Sequence, residues 1–290
     1  MNFKSDDIKV LRDKSGAGMM DCKKALEESN GNIEKAIEWL RKKGINTAQK
    51  KSSRSASDGL VTVKIEKNTG VILEVNAETD FVARNENFQT FCDELATTCL
   101  NNRTNSLNDL LVSKFVSSEL SVQESLTNII SKLGENIVVR RLFFTGNDNS
   151  YLQKYLHNAI NSNSGKIGVL LSFDVNENSE IVEEFTKNIC MHIAATDPKS
   201  INIEDLDKEL VEKERSIYLD QLKSSGKPED ILKKIVEGKI KKFYEEVCLM
   251  EQYFVMDNKI RITELISNFN KEHNVDLKVK NYVIFKLGQE

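Results

Sequence analysis

Three histidines and five cysteines are the side chains in this sequence that most often serve catalysis or metal binding. His157, His192 and His273 lack Cys, Asp or Glu partners at metal-ligand spacing, and the isoleucines beside His192 indicate a packed or flanking histidine. The cysteines form no CxxC pair, and the phosphate-loop, dinucleotide and nucleophile-elbow motifs are absent from the sequence. We therefore expect no catalytic residue, no metal, no cofactor and no enzyme.

The segment that follows residues 71–75, a predicted strand, carries the first candidate site. Thr79 is placed to cap a short helical turn, and Asp80, Phe81 and Val82 follow it. Phe81 is a large apolar side chain where a surface loop is expected. An apolar group beside a carboxylate suits insertion into a crevice of a partner protein.

A structural role for Phe81 is the alternative. Phe81 lies seven residues before Phe88, so one continuous helix would place both rings on the core face. An internal repeat weakens that alternative, because the positions equivalent to this loop, at 177–179, are Glu, Asn and Ser. The scaffold therefore does not demand an aromatic residue there.

Met19 and Met20 are the second candidate site, because they follow a glycine-rich turn at a helix start. One of the two is expected in the core, with either methionine equally suited. An exposed methionine is an adaptable apolar contact for a groove in another protein.

The composition of the 290-residue chain is that of a folded protein with two or three units, since 39% of its residues are hydrophobic and 30% are charged. A net charge of −4 gives no general basic field, so a protein partner is favoured over direct nucleic-acid binding. We expect neither a signal peptide nor a membrane-spanning segment. The cysteines are scattered along the chain and their number is odd, which suits the cytoplasm.

Periodicity divides the chain into five segments. Residues 1–45 are predicted to form three short helices, with Asn32 capping the third and Gly44 ending it. Residues 46–58 are polar and basic, which predicts a flexible linker. Residues 203–247 predict a hairpin of two helices that turns at Ser225, Gly226, Lys227 and Pro228. The first core half is predicted to span residues 59–136, and the second to combine residues 137–202 with residues 248–290.

An internal repeat at an offset of 98 residues relates the two core halves. Residues 70–73 align with 168–171 and the helix face at 91–96 with 189–194. The first half also contains a β-hairpin that turns near Gly70, and a helix with a capping box of Ser121 and Glu124. The fold class is therefore α+β, with a small helical module, a duplicated core with antiparallel sheets and an inserted helical hairpin.

Several motifs in this order resemble the elongation factor Ts family of bacterial translation factors. They are GAGMM at 16–20, ETDFVA at 78–83, GENI at 134–137, MHIAA at 191–195, SGKP at 225–228, VEGK at 236–239 and FVM at 254–256. The resemblance covers essentially the whole chain. It implies a ubiquitin-associated-like N-terminal bundle, a two-part α+β core and a coiled-coil hairpin.

The resemblance also implies an activity, the release of GDP from the GTPase elongation factor Tu, met in its GDP-bound and nucleotide-free forms. In such a factor the loop with Asp80 and Phe81 disturbs the Mg²⁺ and phosphate site of the GTPase. Arg12, Met19 and Met20 dock on the same domain of the partner, and His157 contacts another. A homodimer is left open.

Three other functions remain open from the residues alone. A passive interaction adaptor would bind a partner without accelerating nucleotide release. An enzyme would need a groove between the core copies, and a nucleic-acid binder would use the basic linker and show salt-dependent RNA binding.

Overall fold

A computed structural model describes residues 3–146, 151–223 and 228–289 and divides the chain into two compact units. The first unit holds most residues up to Thr145, with Leu156–Gly168 and the chain from Phe285 onward, and the second is built mainly from Val169–Ile284. The described helices and strands are α1 (Ser5–Ser15), α2 (Met19–Glu28), α3 (Ile33–Lys51), β1 (Asp58–Glu66), β2 (Thr69–Ala77), α4 (Asp80–Ala83), α5 (Glu86–Asn102), α6 (Leu107–Val112), α7 (Val122–Leu133), β3 (Ile137–Gly146), β4 (Tyr151–His157), β5 (Ser164–Gly165), β6 (Ile167–Asp174), α8 (Glu180–Thr196), α9 (Lys208–Lys223), α10 (Glu229–Val247), β7 (Tyr253–Phe254), β8 (Asp257–Arg261), α11 (Ile262–His273) and β9 (Lys278–Lys286).

The N-terminal helices α1, α2 and α3 pack around a small apolar core. The Asn32 side chain accepts a hydrogen bond from the Lys35 backbone N–H at 2.9 Å, which is the predicted cap of α3. The three predicted helices are therefore present. Their buried residues are Leu11, Cys22, Ala25, Leu26 and Ala36.

Helix α3 does not end at Gly44, so that prediction is wrong. It continues to Lys51 and packs against α7. A Cβ at Gly44 would lie 3.2 Å from Ser131 Oγ on α7, so the missing side chain allows the two helices to approach closely. A glycine inside a helix costs only about 1 kcal/mol relative to alanine. The predicted linker 46–58 is therefore helical up to residue 51, and its last residue belongs to β1.

The first unit has a four-stranded sheet in the order β3-β2-β1-β5. Strands β1 and β2 form the predicted hairpin, with the antiparallel register running from Glu66 opposite Thr69 to Asp58 opposite Ala77. Strand β3 lies beside β2 in this sheet. The predicted boundary between the core halves, at residue 137, is therefore wrong, since the first unit continues to Thr145. Pairing of strands that are distant in sequence leaves no periodic signal that could have revealed this.

Helices α5 and α7 supply much of the apolar core of the first unit. The predicted core face of α5 is confirmed, because its apolar side chains are all buried. The capping box of α7 is also confirmed. Ser121 Oγ accepts from the Glu124 N–H at 3.2 Å, and Glu124 accepts from the Ser121 N–H at 2.9 Å. Gly134 then ends α7 in the left-handed conformation.

The second unit combines a three-stranded sheet in the order β4-β6-β9 with α8, α11 and the β7-β8 hairpin. Helices α9 and α10 pack against each other as the predicted pair. The predicted turn at Ser225, Gly226 and Lys227 lies outside the described residues, and Pro228 immediately precedes α10. None of the helices in the described ranges is both long and apolar enough to cross a membrane.

Candidate functional site

The connection between β2 and α5 projects an aromatic side chain from the first unit. Helix α4 occupies Asp80–Ala83, and Phe81 on it is 80% exposed. Asn85 begins α5 separately, because its side chain accepts a hydrogen bond from the Asn87 N–H at 2.9 Å. Phe81 and Phe88 therefore lie on different helices, and the alternative of a shared core face is wrong.

Val82 faces the interior and not the surface. It is 7% exposed and belongs to the core of the first unit together with Ala83. The expectation that Val82 contacts a partner is therefore corrected, since burial leaves it little surface to offer. Its burial anchors one side of α4 while Phe81 projects from the other.

Thr79 precedes α4 but does not cap it with its side chain. Its hydroxyl donates to Glu135 Oε1 at 2.6 Å, and its backbone N–H donates to Glu135 Oε2 at 3.0 Å. The predicted capping role is therefore wrong, because the Thr79 hydroxyl accepts from no N–H group of α4 and instead donates to the Glu135 carboxylate. Glu78 Oε1 in turn accepts from the Asn136 N–H at 2.6 Å.

Asp80 lies in the first turn of α4, where a negative charge is favoured by the exposed N–H groups of the helix start. Its Oδ2 lies 3.7 Å from Nε of Arg84, and both side chains are largely exposed. The pair is therefore solvent-screened and stabilises the fold little. Asp80 remains accessible beside Phe81.

Met19 and Met20 begin α2 after the turn at residues 16–18, and they are 60% and 73% exposed. The expectation that one of them lies in the core is wrong, because Cys22, Ala25 and Leu26 fill the buried face of α2. Arg12 is exposed on α1, and its backbone carbonyl accepts from the Gly16 N–H at 2.8 Å. The turn therefore connects Arg12 to the two methionines.

His157 is exposed at the end of β4, and its carbonyl accepts from the Lys166 N–H at 3.1 Å. It belongs to neither the α4 loop nor the α2 turn. The structure thus places the predicted site residues in three separate surface segments: Thr79 to Phe81, Arg12 with the methionines, and His157.

His192, Cys190 and Cys248 of the second unit are buried. His192 Nε2 lies 2.9 Å from Gln252 Oε1, and its Nδ1 accepts from the Val255 N–H at 3.3 Å. Burial lowers the pKa of His192, which favours the neutral ring. This confirms the packed role predicted for His192. All five cysteines are buried and free, and burial raises the pKa of Cys99 to about 12.

The periodicity of the sequence does not reveal the hydrogen bonds that Glu78, Glu135 and Asn136 form at the candidate site. Their bonds join positions that are more than 50 residues apart. The only signal is that Glu78, Glu135 and Asn136 stand within two of the motifs quoted for the family resemblance.

Comparison with known proteins supports that resemblance. A family model described as Elongation factor TS matches residues 78–289. The curated Elongation factor Ts of Bartonella bacilliformis is 41% identical over 289 residues, which is 100% of this chain and 94% of the relative. The protein of the same name from Clostridium botulinum (strain Eklund 17B / Type B) is 45% identical over 284 residues, or 97% and 92% of the two chains.

The relatives also cover the N-terminal helices, which the family model does not reach. Elongation factor Ts of Rickettsia felis is 41% identical over 290 residues, which is 100% of this chain and 93% of the relative. With the family model matched from Glu78 onward and relatives aligned along the full chain, this protein belongs to the elongation factor Ts family, the nucleotide exchange factors for elongation factor Tu in translation elongation.

Proposed function

We propose that this chain promotes GDP release from elongation factor Tu by inserting the Asp80-Phe81 loop beside the Mg²⁺ and phosphate site, so that GTP can rebind. The observation that carries the proposal is the exposure of Phe81, at 80%, on a short helix whose neighbouring residue Val82 is buried. An apolar ring held in water by an ordered segment is a ready anchor for a pocket in another protein.

The free energy required shows that Phe81 cannot act alone. Accelerating release ~1000-fold needs about 4 kcal/mol of stabilisation along the exit path. Burying one phenylalanine supplies roughly 1.5–3 kcal/mol. The remainder must come from lost metal and phosphate contacts in the partner and from docking by other surfaces of the chain.

Docking by Arg12, Met19 and Met20 is the proposed second contribution. The two methionines expose flexible apolar side chains that adapt to a groove, and Arg12 adds a cation on the neighbouring helix. His157 is proposed to meet a different domain of the partner. A ubiquitin-associated-like character for the N-terminal bundle and a coiled-coil character for α9 and α10 are part of the same proposal.

Exchange of this kind makes and breaks no covalent bond. The factor stabilises the nucleotide-free GTPase, so binding of factor and binding of nucleotide weaken each other by the same coupling free energy. GDP leaves more readily when the factor is bound, and GTP later displaces the factor. We propose the cytoplasm as its location and no nucleic acid as a direct partner.

The test is the rate of release of a fluorescent GDP analogue from elongation factor Tu, with the parent chain and with Phe81→Ala. Val112→Ala is the matched control, because Val112 is an apolar side chain of the same unit with 78% exposure. We expect large acceleration by the parent and by the control. We expect a fall of at least about tenfold for Phe81→Ala, which corresponds to roughly 1.4 kcal/mol.

The outcomes separate the competing functions. Equal acceleration by parent and Phe81→Ala would leave the exchange activity in place but remove Phe81 from its mechanism. Binding of the GTPase without any acceleration by the parent would identify a passive adaptor. Circular dichroism of each variant establishes that a lost rate is not a lost fold.

A further inference from the structure

Two glutamates join the loop that carries Phe81 to the loop that follows α7. Glu135 accepts from the Thr79 N–H at 3.0 Å and from the Thr79 hydroxyl at 2.6 Å. Glu78 accepts from the Asn136 N–H at 2.6 Å. Each loop thus supplies a carboxylate to the backbone of the other, and we call Glu78, Thr79, Glu135 and Asn136 the carboxylate clamp.

The clamp lies immediately before the exposed ring. Thr79 is two residues from Phe81, and Val82 and Ala83 enter the core directly after it. Phe81 is therefore fixed on one side by hydrogen bonds to a charged acceptor and on the other by apolar burial. Hydrogen bonds to an ionised acceptor are shorter and stronger than neutral ones, so they limit local motion of the loop.

The clamp also connects to the end of α3. The Asn136 side-chain amide donates to the Arg54 carbonyl at 2.8 Å, and the Arg54 guanidinium lies 3.5 Å from Glu78 Oε1. Lys51, the last residue of α3, donates to the Gly134 carbonyl. The residues that follow the N-terminal bundle are thus bonded to the same two loops.

We propose that Glu135 is a positioning residue for nucleotide exchange, which holds Thr79 so that Phe81 projects in the orientation its partner pocket accepts. This inference rests on the proposed exchange function. Glu135 touches neither nucleotide nor metal in this proposal and acts only through Phe81. An ordered loop meets its pocket without first losing conformational freedom, which is the advantage of preorganisation.

The test measures GDP-analogue release from elongation factor Tu over a range of factor concentrations, which gives a maximal rate and a half-saturating concentration. Glu135→Ala is expected to lower the maximal rate about tenfold, because misplacement of a reacting or inserting group is costly. The half-saturating concentration is expected to change little, because the α2 turn is intact.

Glu135→Gln is the conservative variant that should rescue the rate. Its amide oxygen can accept from the Thr79 N–H while its NH₂ group donates to the Thr79 hydroxyl oxygen. We expect its maximal rate to lie within about threefold of the parent. Glu119→Ala is the control, because Glu119 is a highly exposed carboxylate of the same unit that pairs only with Lys114 among the ion pairs described for it.

A double-mutant cycle with Phe81→Ala separates positioning from a general structural role. If Glu135 acts through Phe81, Glu135→Ala causes no further loss in the Phe81→Ala background. Hydrogen exchange of residues 78–84 should also rise in Glu135→Ala while the β1-β2 hairpin keeps its protection.

Each result has a distinct meaning. Additive losses in the cycle, or unchanged maximal rates for Glu135→Ala, overturn the positioning role while the exchange function stands. A parent chain that does not accelerate release overturns both the exchange function and the role of Glu135. A non-additive cycle with rescue by Glu135→Gln supports the proposal.

Discussion

The connection between strand and helix is built differently in the two units. In the first unit β2 ends at Ala77 and α5 begins at Glu86, with α4 between them. In the second unit β6 ends at Asp174 and α8 begins at Glu180 without an intervening helix. Ser179 holds the position equivalent to Phe81 at the offset of 98 residues.

The hydrogen bonds of the two connections differ as well. In the second connection Asn176 Oδ1 accepts from the Asp276 N–H at 2.9 Å, and the Asn178 side chain donates to Glu183 at 3.2 Å. The first is held by the carboxylate clamp and leaves an aromatic ring exposed. The comparison shows that a strand followed by a helix requires neither an exposed aromatic ring nor a clamp of this kind.

The largest expected effect concerns a position at which α5 buries an aromatic ring and α8 does not. Phe88 is fully buried, and its equivalent in α8 is Thr186, whose hydroxyl donates to the Val182 carbonyl at 2.8 Å. Phe88→Ala should lower the free energy of unfolding by about 3–5 kcal/mol through loss of burial and a cavity. Urea unfolding followed by circular dichroism measures it.

Phe81→Ala is the matched comparison for that measurement. Because Phe81 is exposed, its removal should change the free energy of unfolding by no more than about 0.5 kcal/mol. A loss of several kcal/mol for Phe81→Ala would mean that the ring supports the fold, and the two connections would then differ for structural reasons alone.

The sequence predicts those parts of the fold that depend on neighbouring residues. The β1-β2 hairpin, the buried face of α5 and the capping box of Ser121 and Glu124 all follow from local spacing, and all are confirmed. Each needs only the chemistry of residues within a few positions of one another.

Features that depend on distant contacts could not be predicted in this way. Gly44 carries a helix-ending signal, but its close contact with Ser131 of α7 keeps α3 continuous. The clamp at Glu135 depends on a bond across 56 residues. For the candidate site, the sequence predicted a surface position for Phe81, which its exposure bears out, whereas the burial of Val82 and the exposure of both methionines required the packed structure.

A residue exchange between the two connections gives the next expected effect. Phe81→Ser should lower GDP-analogue release from elongation factor Tu by about tenfold or more, since it removes the inserting ring. Adding Ser179→Phe should not restore the rate, because the second connection has no clamp at the equivalent position to hold the ring.

Recovery of the parent rate by the double variant would contradict this expectation. It would show that an exposed aromatic residue at either connection is sufficient, and that the clamp does not distinguish the two. The single variant Ser179→Phe is the control, and its rate should match that of the parent chain.

The smallest expected effect concerns pH, because the equivalent helices also differ at Glu94 and His192. Burial lowers the pKa of His192 below its ordinary value of 6.5, whereas Glu94 lies in the first unit and accepts from the Ser117 hydroxyl at 2.8 Å. Below pH 6.5 His192 binds a proton in the unfolded chain, whereas in the folded protein it stays neutral until the pH approaches its lower pKa. Stability contributed by the neutral ring is therefore present above pH 6.5 and falls as pH decreases towards the folded pKa.

The slope of that loss is at most about 1.4 kcal/mol per pH unit, the limit for one proton. Urea unfolding of the parent and of His192→Gln at pH 7.5 and pH 5.5, followed by circular dichroism, isolates it from the contributions of His157 and His273. The parent should lose more stability on acidification than the variant does. Equal losses would mean that the hydrogen bond that His192 Nε2 donates to Gln252 Oε1 offsets the burial of His192, and that His192 adds no acid sensitivity to the second unit.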